Sequence, residues 1–151
     1  MFESRKLRNE WGEVLAILGP GPRVGAVELQ KAQWLLSAQW RKRVAAVCSE
    51  VELSFTEWLV VDALRELYQE LEDAVTQNAI AERAGLRRGN VSALMSALEE
   101  KYLVSRGPSA SGRAWRVLPT HEAEERLRMI HPRLEGASRQ LSRLEWLQAD
   151  R

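Results

Sequence analysis

Apolar positions recur at helical spacing along most of this chain. Trp11, Val14, Leu15 and Leu18 form a short amphipathic run that stops at Gly19-Pro20-Gly21-Pro22. The next stripe is Leu29, Ala32, Leu36, Trp40, Val44, Val47 and Val51, and it predicts a helix from about Val24 to Glu50. Ser54 then opens "SFTE", in which the Ser54 hydroxyl and the Glu57 carboxylate can satisfy the orphan amides of a helix start. Phe55, Leu59, Ala63, Leu64, Leu67 and Leu71 are the expected buried face of that helix. A short helix over about Gln77 to Ala84 and a longer one from about Arg88 to Lys101 follow.

The last helix, capped by Thr120, carries Ala123, Leu127, Ile130, Leu134, Ala137, Leu141 and Leu144 in alternating steps of four and three. That mean spacing of about 3.5 is the seam of a coiled coil. Pro132 inside it removes one backbone hydrogen bond and should bend the helix. Such a seam needs a partner helix, supplied by the same chain or, as its length favours, by a second copy.

The helical pattern breaks at "LVSRGPSASGRAWRVL", Leu103 to Leu118, where two short β-like runs flank a tip of Gly, Pro, Ser and Ala. Arg106, Arg113 and Arg116 punctuate it with no acidic residue between them. Trp115 and Val117 alternate with the arginines and should face the core.

Just upstream, "QNAIAERAGLRRGNVSALMS" places Ala81 four residues before Gly85, with Val91 six and Leu94 nine residues after that glycine. The spacing suits a helix-turn-helix. A small residue permits a close crossing, a glycine takes the left-handed turn, and two apolar residues pin the second helix. Arg87, Arg88, Asn90, Ser92, Ala93 and Ser96 then fall on its outer side. Arginine and asparagine match the hydrogen-bonding edges of guanine and adenine in a major groove, and small neighbours allow close approach. Thr76 and Gln77, at the start of the preceding helix, are placed to meet phosphates. The hairpin is then a wing, with Arg113 aimed at a minor groove and Arg106 and Arg116 as phosphate contacts or braces.

Charge sharpens this picture. The chain's net charge is only +1, yet Glu50 to Asp73 holds eight acidic residues against Arg65, and Thr76 to Arg116 holds seven basic ones against three glutamates. A basic segment beside an acidic one points to a polyanion-binding face, unless it is an ordinary solvated distribution.

Together these pieces resemble the MarR (multiple antibiotic resistance regulator) family of winged-helix transcription factors, from about Leu29 to Leu144. The matching motifs are "LSFTEWLVVDAL", "TQNAIAERAGLRRGNVSALMSALEEKYLVSR", "SGRAWRV" and "PTHEAEERL". Three departures stand out. Ser111 replaces the aspartate of the family's Asp-x-Arg wing, and Pro119-Thr120 with Ala123 replaces Leu-Thr with a following Gly. Gly89-Asn90 and Ala93 replace a common Ser-Thr and Arg.

The resemblance implies a mainly α fold with a small β wing. Residues 1–52 and 120–151 would form a dimerisation region around a DNA-binding domain at 53–119. It further implies a homodimer on a pseudo-palindromic double-stranded operator, and a repressor released by a small aromatic or anionic effector. Trp34, Trp40, Arg41 and Trp58, with Arg43, lie on the helices that wall the family's effector pocket, although interface and core is the favoured reading of the tryptophans. The competing reading is a protein-interaction or anti-repressor module on this fold that has lost DNA binding.

Other classes find little support. His121 and His131 are the only histidines, and His121 with Glu125 lacks a third ligand, so no metal is expected. No glycine-rich phosphate loop and no catalytic constellation is present, so neither a cofactor nor an enzyme is expected. Cys48 is the single cysteine, which excludes an internal disulfide and suits a small buried residue better than a sensing thiol. No apolar run approaches the ~20 residues of a membrane span, and the expected location is cytoplasmic.

Overall fold

The computed structural model describes residues 25–72, 75–108, 112 and 115–149, with side chains of the last helix as far as Leu141. The Trp11–Leu18 run, the hairpin tip with Ser111 and Arg113, and the side chain of Leu144 lie outside the described residues. Helix α1 spans Ala26–Ser49, α2 Phe55–Leu71, α3 Gln77–Ala84 and α4 Arg88–Glu100. Strands β1, Val104–Pro108, and β2, Trp115–Pro119, pair antiparallel, and α5, His121–Ala149, completes the order.

Local chemistry fixes the helix starts. The Ser54 hydroxyl accepts from the Glu57 amide at 3.1 Å while the Ser54 amide donates to the Glu57 carboxylate at 3.0 Å, closing the expected capping box. Thr76 caps α3 through the Ala79 amide at 3.2 Å, and Thr120 caps α5 through the Ala123 amide at 3.1 Å.

Three helices end in one geometry. Gly85, Glu52 and Tyr102 each adopt a left-handed backbone, with φ of 69°, 58° and 58°. The amide after each reaches back five residues: Leu86 to Ala81, Leu53 to Cys48 and Leu103 to Leu98. In every case a leucine is thereby turned toward the core.

The core gathers Val44 and Cys48 of α1, and Val60, Val61, Leu64 and Leu67 of α2. Ile80 and Ala81 of α3, Val91, Met95 and Leu98 of α4, Val117 of β2, and Ala123, Leu127, Ile130 and Leu134 of α5 join them. The expected face of α2 holds at Ala63, Leu64 and Leu67, whereas Leu71 is exposed and Val60 and Val61 are buried beside it.

The stripe of α1 divides. Its second half enters the core, while in its first half Ala32 is exposed and Leu29 and Leu36 are half-buried. Val27, Trp34 and Leu35, which lie off the stripe, stand exposed because no described part of the chain covers them. The seam of α5 meets the chain's own helices over its first half. From Ala123 to Leu134 it is buried in the chain's own core, against α1 and α2, so this stretch does not need a second copy for its partner. Trp40 Nε1 donates to Ser138 Oγ at 3.1 Å, Arg126 donates to the Val51 carbonyl at 3.1 Å, and Arg133 pairs with Glu50.

The wing is tied to the helices by backbone. The Val117 amide donates to the Val75 carbonyl at 2.9 Å, so β2 runs beside the segment that leads into α3. The architecture is a winged helix-turn-helix, mostly helical, with α1 and α5 packed against it.

One ion pair closes the domain. Glu57 is buried, and its carboxylate accepts from Lys101 Nζ at 2.9 and 3.0 Å while the same ammonium reaches the Glu52 carbonyl at 3.1 Å. Burial alone would raise the Glu57 pKa. The Lys101 ammonium and the Ser54 amide and hydroxyl outweigh it and hold the carboxyl below its ordinary 4.5. A depressed carboxyl contributes stability above its unfolded pKa and loses it as pH falls through the folded one. Lys101→Met should cost about 1–2 kcal/mol at neutral pH. That is less than the 3–5 of a fully buried pair, since the Lys101 side chain is 38% exposed. It should also flatten the loss of stability below about pH 5. Denaturant titrations at neutral and acid pH check both effects. An acid limb as steep as the parent's would remove Glu57 as its source.

Candidate nucleic-acid interface

Helices α3 and α4 cross at Ala81, which is almost fully buried, and the left-handed Gly85 turns the chain between them. Val91, Met95 and Leu98 lie wholly in the core, and Leu94 packs at its edge. Burying these residues turns the opposite side of α4 outward. Arg87, Arg88, Asn90, Ser92, Ala93 and Ser96 are all exposed, as expected. Among the described residues, none of these polar side chains makes a hydrogen bond or ion pair. Met95 is the pinning residue that the sequence pattern left unmarked, although it lies four residues after Val91 on one helical face.

The start of α3 flanks this surface. Thr76 and Gln77 are half-buried, and the Gln77 and Asn78 amides precede the helix's first internal bond, from Ile80 to Thr76. A depression of about 730 Å³ between α3, α4 and the wing is lined by Thr76, Gln77, Asn78, Ser92, Glu99, Arg106 and Trp115.

The wing departs from expectation at one residue. Val117 is buried as predicted, but Trp115 is 68% exposed. Both lie on one face of β2, yet Trp115 is two residues nearer the tip, about 7 Å further out, where the hairpin overhangs the core. Arg106 is a brace, since its Nε pairs with Glu99 of α4. Arg116 is half-buried. Arg113 lies outside the described residues.

The basic segment is less free than its composition implies. Arg83 bonds Glu66 at 3.1 Å and Glu70 at 2.8 Å, joining α3 to the acidic α2, and its hydrogen bonds hold the Glu70 carboxyl below its ordinary range. Lys101 and Arg106 are likewise engaged inside the fold, with Glu57 and Glu99. Arg87 and Arg88 remain as the cations presented by α4.

A second concavity, of about 610 Å³, opens between α1, α2 and α5. Trp40 and Trp58 wall it, with ring centroids 6.1 Å apart, and Phe55 braces both at 5.7 and 5.9 Å. The four residues named for an effector therefore separate. Trp34 and Arg41 do not line this cleft; Arg41 sits over the Trp34 ring, 5.5 Å from its centroid, and Trp34 borders an apolar groove with Val27 and Leu35. The cations in the cleft are instead Arg65 and Arg128, bonded to Asp62 at 2.9 Å and Glu125 at 2.5 Å. The carboxylates of Asp62, Glu66, Glu124 and Glu135 outnumber them.

Among the described residues no three His, Cys, Asp or Glu side chains gather as a metal site. His121 lies 3.8 Å from Glu125, and His131 lies 4.0 Å from Glu135. None of the described helices is long and apolar enough to cross a membrane.

Residues 53–114 match the family model described as MarR family. No curated protein matches in sequence. Solved structures share the fold. One is a MarR-family transcriptional regulator from Rhodococcus sp. RHA1, with a TM-score of 0.65 at 18% identity over 78% of this chain and 80% of that one. Another is CouR from Rhodococcus jostii RHA1 bound to p-coumaroyl-CoA, with 0.65 at 19% identity over 77% and 79%. A third is a Mycobacterium tuberculosis MarR-family protein in complex with p-aminosalicylic acid, with 0.58 at 19% identity over 75% and 82%.

Cys48 has no exposed surface, and burial pushes its thiol up to about 11, so it stays protonated near neutral pH. The folded chain should leave a thiol-specific disulfide reagent unconsumed until denaturant is added. Cys48→Ser should destabilise by about 1–3 kcal/mol, because it buries a hydroxyl without a partner. Rapid labelling of the native protein would contradict the packing role.

Proposed function

We propose that the chain, whose residues 53–114 match the MarR family model, is a MarR-family regulator that acts as a homodimeric, sequence-specific DNA-binding transcriptional regulator. The observation that carries this reading is the outer face of α4, where Arg87, Arg88, Asn90 and Ser92 stand exposed on a helix whose other side is fixed in the core. Such side chains find their hydrogen-bonding partners in a major groove. In this reading residues 53–119 hold the DNA, with Thr76, Gln77 and Arg116 at the phosphates and Arg113 in the minor groove.

Residues 1–52 and 120–151 join two copies. The support is the exposed Val27, Trp34 and Leu35 on α1, more than half of each accessible along one stretch of helix. Two symmetry-related α4 helices would read half-sites about 10 base pairs apart in a pseudo-palindromic operator. The activity is repression in the cytoplasm, relieved by a small aromatic ligand in the Trp40–Trp58 cleft. Aromatic walls favour such a ligand, and the ligands in the two related complexes are aromatic. The excess of carboxylates around the cleft favours a ligand without net negative charge over an anionic one.

Selection of duplexes by the purified full chain tests the reading. A pseudo-palindrome should emerge, and Asn90→Ala should relax one position of each half-site, at about 1–3 kcal/mol for the bidentate pair it removes there. Unchanged selectivity in that variant would move readout to Arg87 or Arg88. Leu134 belongs to the chain's own core, so Trp34→Glu and Leu35→Glu are the variants that probe association. In sedimentation they should turn a dimer into a folded monomer. Retention of no duplex by the parent chain would leave the protein-interaction reading in its place.

A further inference from the structure

Trp115 is the largest apolar side chain on the wing, and it is 68% exposed at a place where burial was expected. The other described residues lining the depression it borders are polar: Thr76, Gln77 and Asn78 at the start of α3, Ser92 on the outer side of α4, and the paired Glu99 and Arg106. The bond between Val117 and Val75 fixes this juxtaposition, because it runs β2 alongside the segment entering α3. The brace between Arg106 and Glu99 holds the wing against α4 from the other strand. The indole therefore borders a concavity of about 730 Å³ and is continuous with the α4 face that the proposed function assigns to DNA.

We propose that Trp115 is a DNA-backbone contact, its indole packing against the deoxyribose of the nucleotide whose phosphate lies at the first amides of α3. This inference rests on the DNA-binding reading. A sugar suits the place chemically. It offers an apolar face within one bond of a phosphate, and the depression pairs an exposed ring with half-buried polar groups at a helix start. A second copy of the chain would instead require an apolar surround, and among the described residues lining this depression Trp115 is the one large apolar side chain. The contact carries no charge and touches no base edge. It therefore adds affinity on every sequence and releases no counterion.

The test compares the parent full chain with Trp115→Ala and Trp115→Phe, on the duplex selected by the parent and on a scrambled duplex, across a salt series. Trp115→Ala should weaken binding about tenfold on both duplexes, the scale of an aromatic interface anchor. The slope of log affinity against log salt should be that of the parent. Trp115→Phe should recover part of the affinity, and the parent's tryptophan emission should change on binding by an amount missing from Trp115→Phe. Melting temperature and sedimentation identify a variant that loses affinity through folding or association, and such a variant would overturn the proposal. Parent-like affinity in Trp115→Ala would also overturn it and leave the DNA-binding reading intact. Weakening confined to one base sequence would overturn the sugar contact in favour of base readout. If the parent itself retains no duplex, the functional reading fails, and this inference fails with it.

Discussion

Val91, Met95 and Leu98 occupy one side of α4 and are fully buried, and this fixes what the other side can present. A helix of 13 residues is marginal alone, so α4 exists because that apolar side packs on Ala81 and the body of the domain. Its orientation follows from the same packing. Gly85 turns the chain sharply enough for the crossing, and the left-handed Tyr102 ends the helix so that Leu103 enters the core. Lys101, just before that turn, anchors the C-terminal end of α4 to Glu57 at the start of α2. The outward face is thus held by packing on one side and by an ion pair at its end.

Charge segregation in the sequence turns out to be charge pairing in space. The acidic residues of α2 and the basic residues that follow read as two separate fields along the chain. Arg83 reaches Glu66 and Glu70, however, and Lys101 reaches Glu57. The exposed Arg83 bridges add little to stability, because water screens them. Their effect is to withdraw one cation from the outer surface and to leave the field of α4 concentrated at Arg87 and Arg88. Among the described residues of α3 and α4, a polyanion would meet a short cluster of cations at the start of α4.

Periodicity made much of the fold legible. Helices α2, α3 and α5 start where Ser54, Thr76 and Thr120 announce them, because a hydroxyl before an apolar stripe has a specific local partner. The exposed residues of α4 follow from its stripe in a similar way. Periodicity says which face a residue occupies but not how far the covering surface extends, and the misplacement of Trp115 has this cause. The divided stripe of α1 and the seam of α5 share it, since partner and extent are tertiary facts. Glu52 and Tyr102 had no glycine to mark their left-handed turns; the only trace is the leucine after each, which matches the Leu86 that follows Gly85. Trp34 and Arg41 part from Trp40 and Trp58 because a resemblance assigns whole helices to a pocket, whereas helical rotation decides which side chains line it.

That rotation gives α1 two roles along its length. Val44 and Cys48 fasten its second half to the winged domain, while Val27, Trp34 and Leu35 stand exposed on its first half. Trp40 lies between the two, bonded to Ser138 of α5 and stacked edge-on against Phe55 and Trp58 of α2. In the proposed mechanism, a ligand in the cleft walled by Trp40 and Trp58 therefore sits where the element joining two copies meets the element carrying the DNA-reading helix. A ligand changes DNA affinity only through different free energies of binding to the two arrangements of those elements. The cleft suits that requirement because its walls come from α1, α2 and α5 together, so a shift of α1 against α2 changes the separation of the two indoles directly.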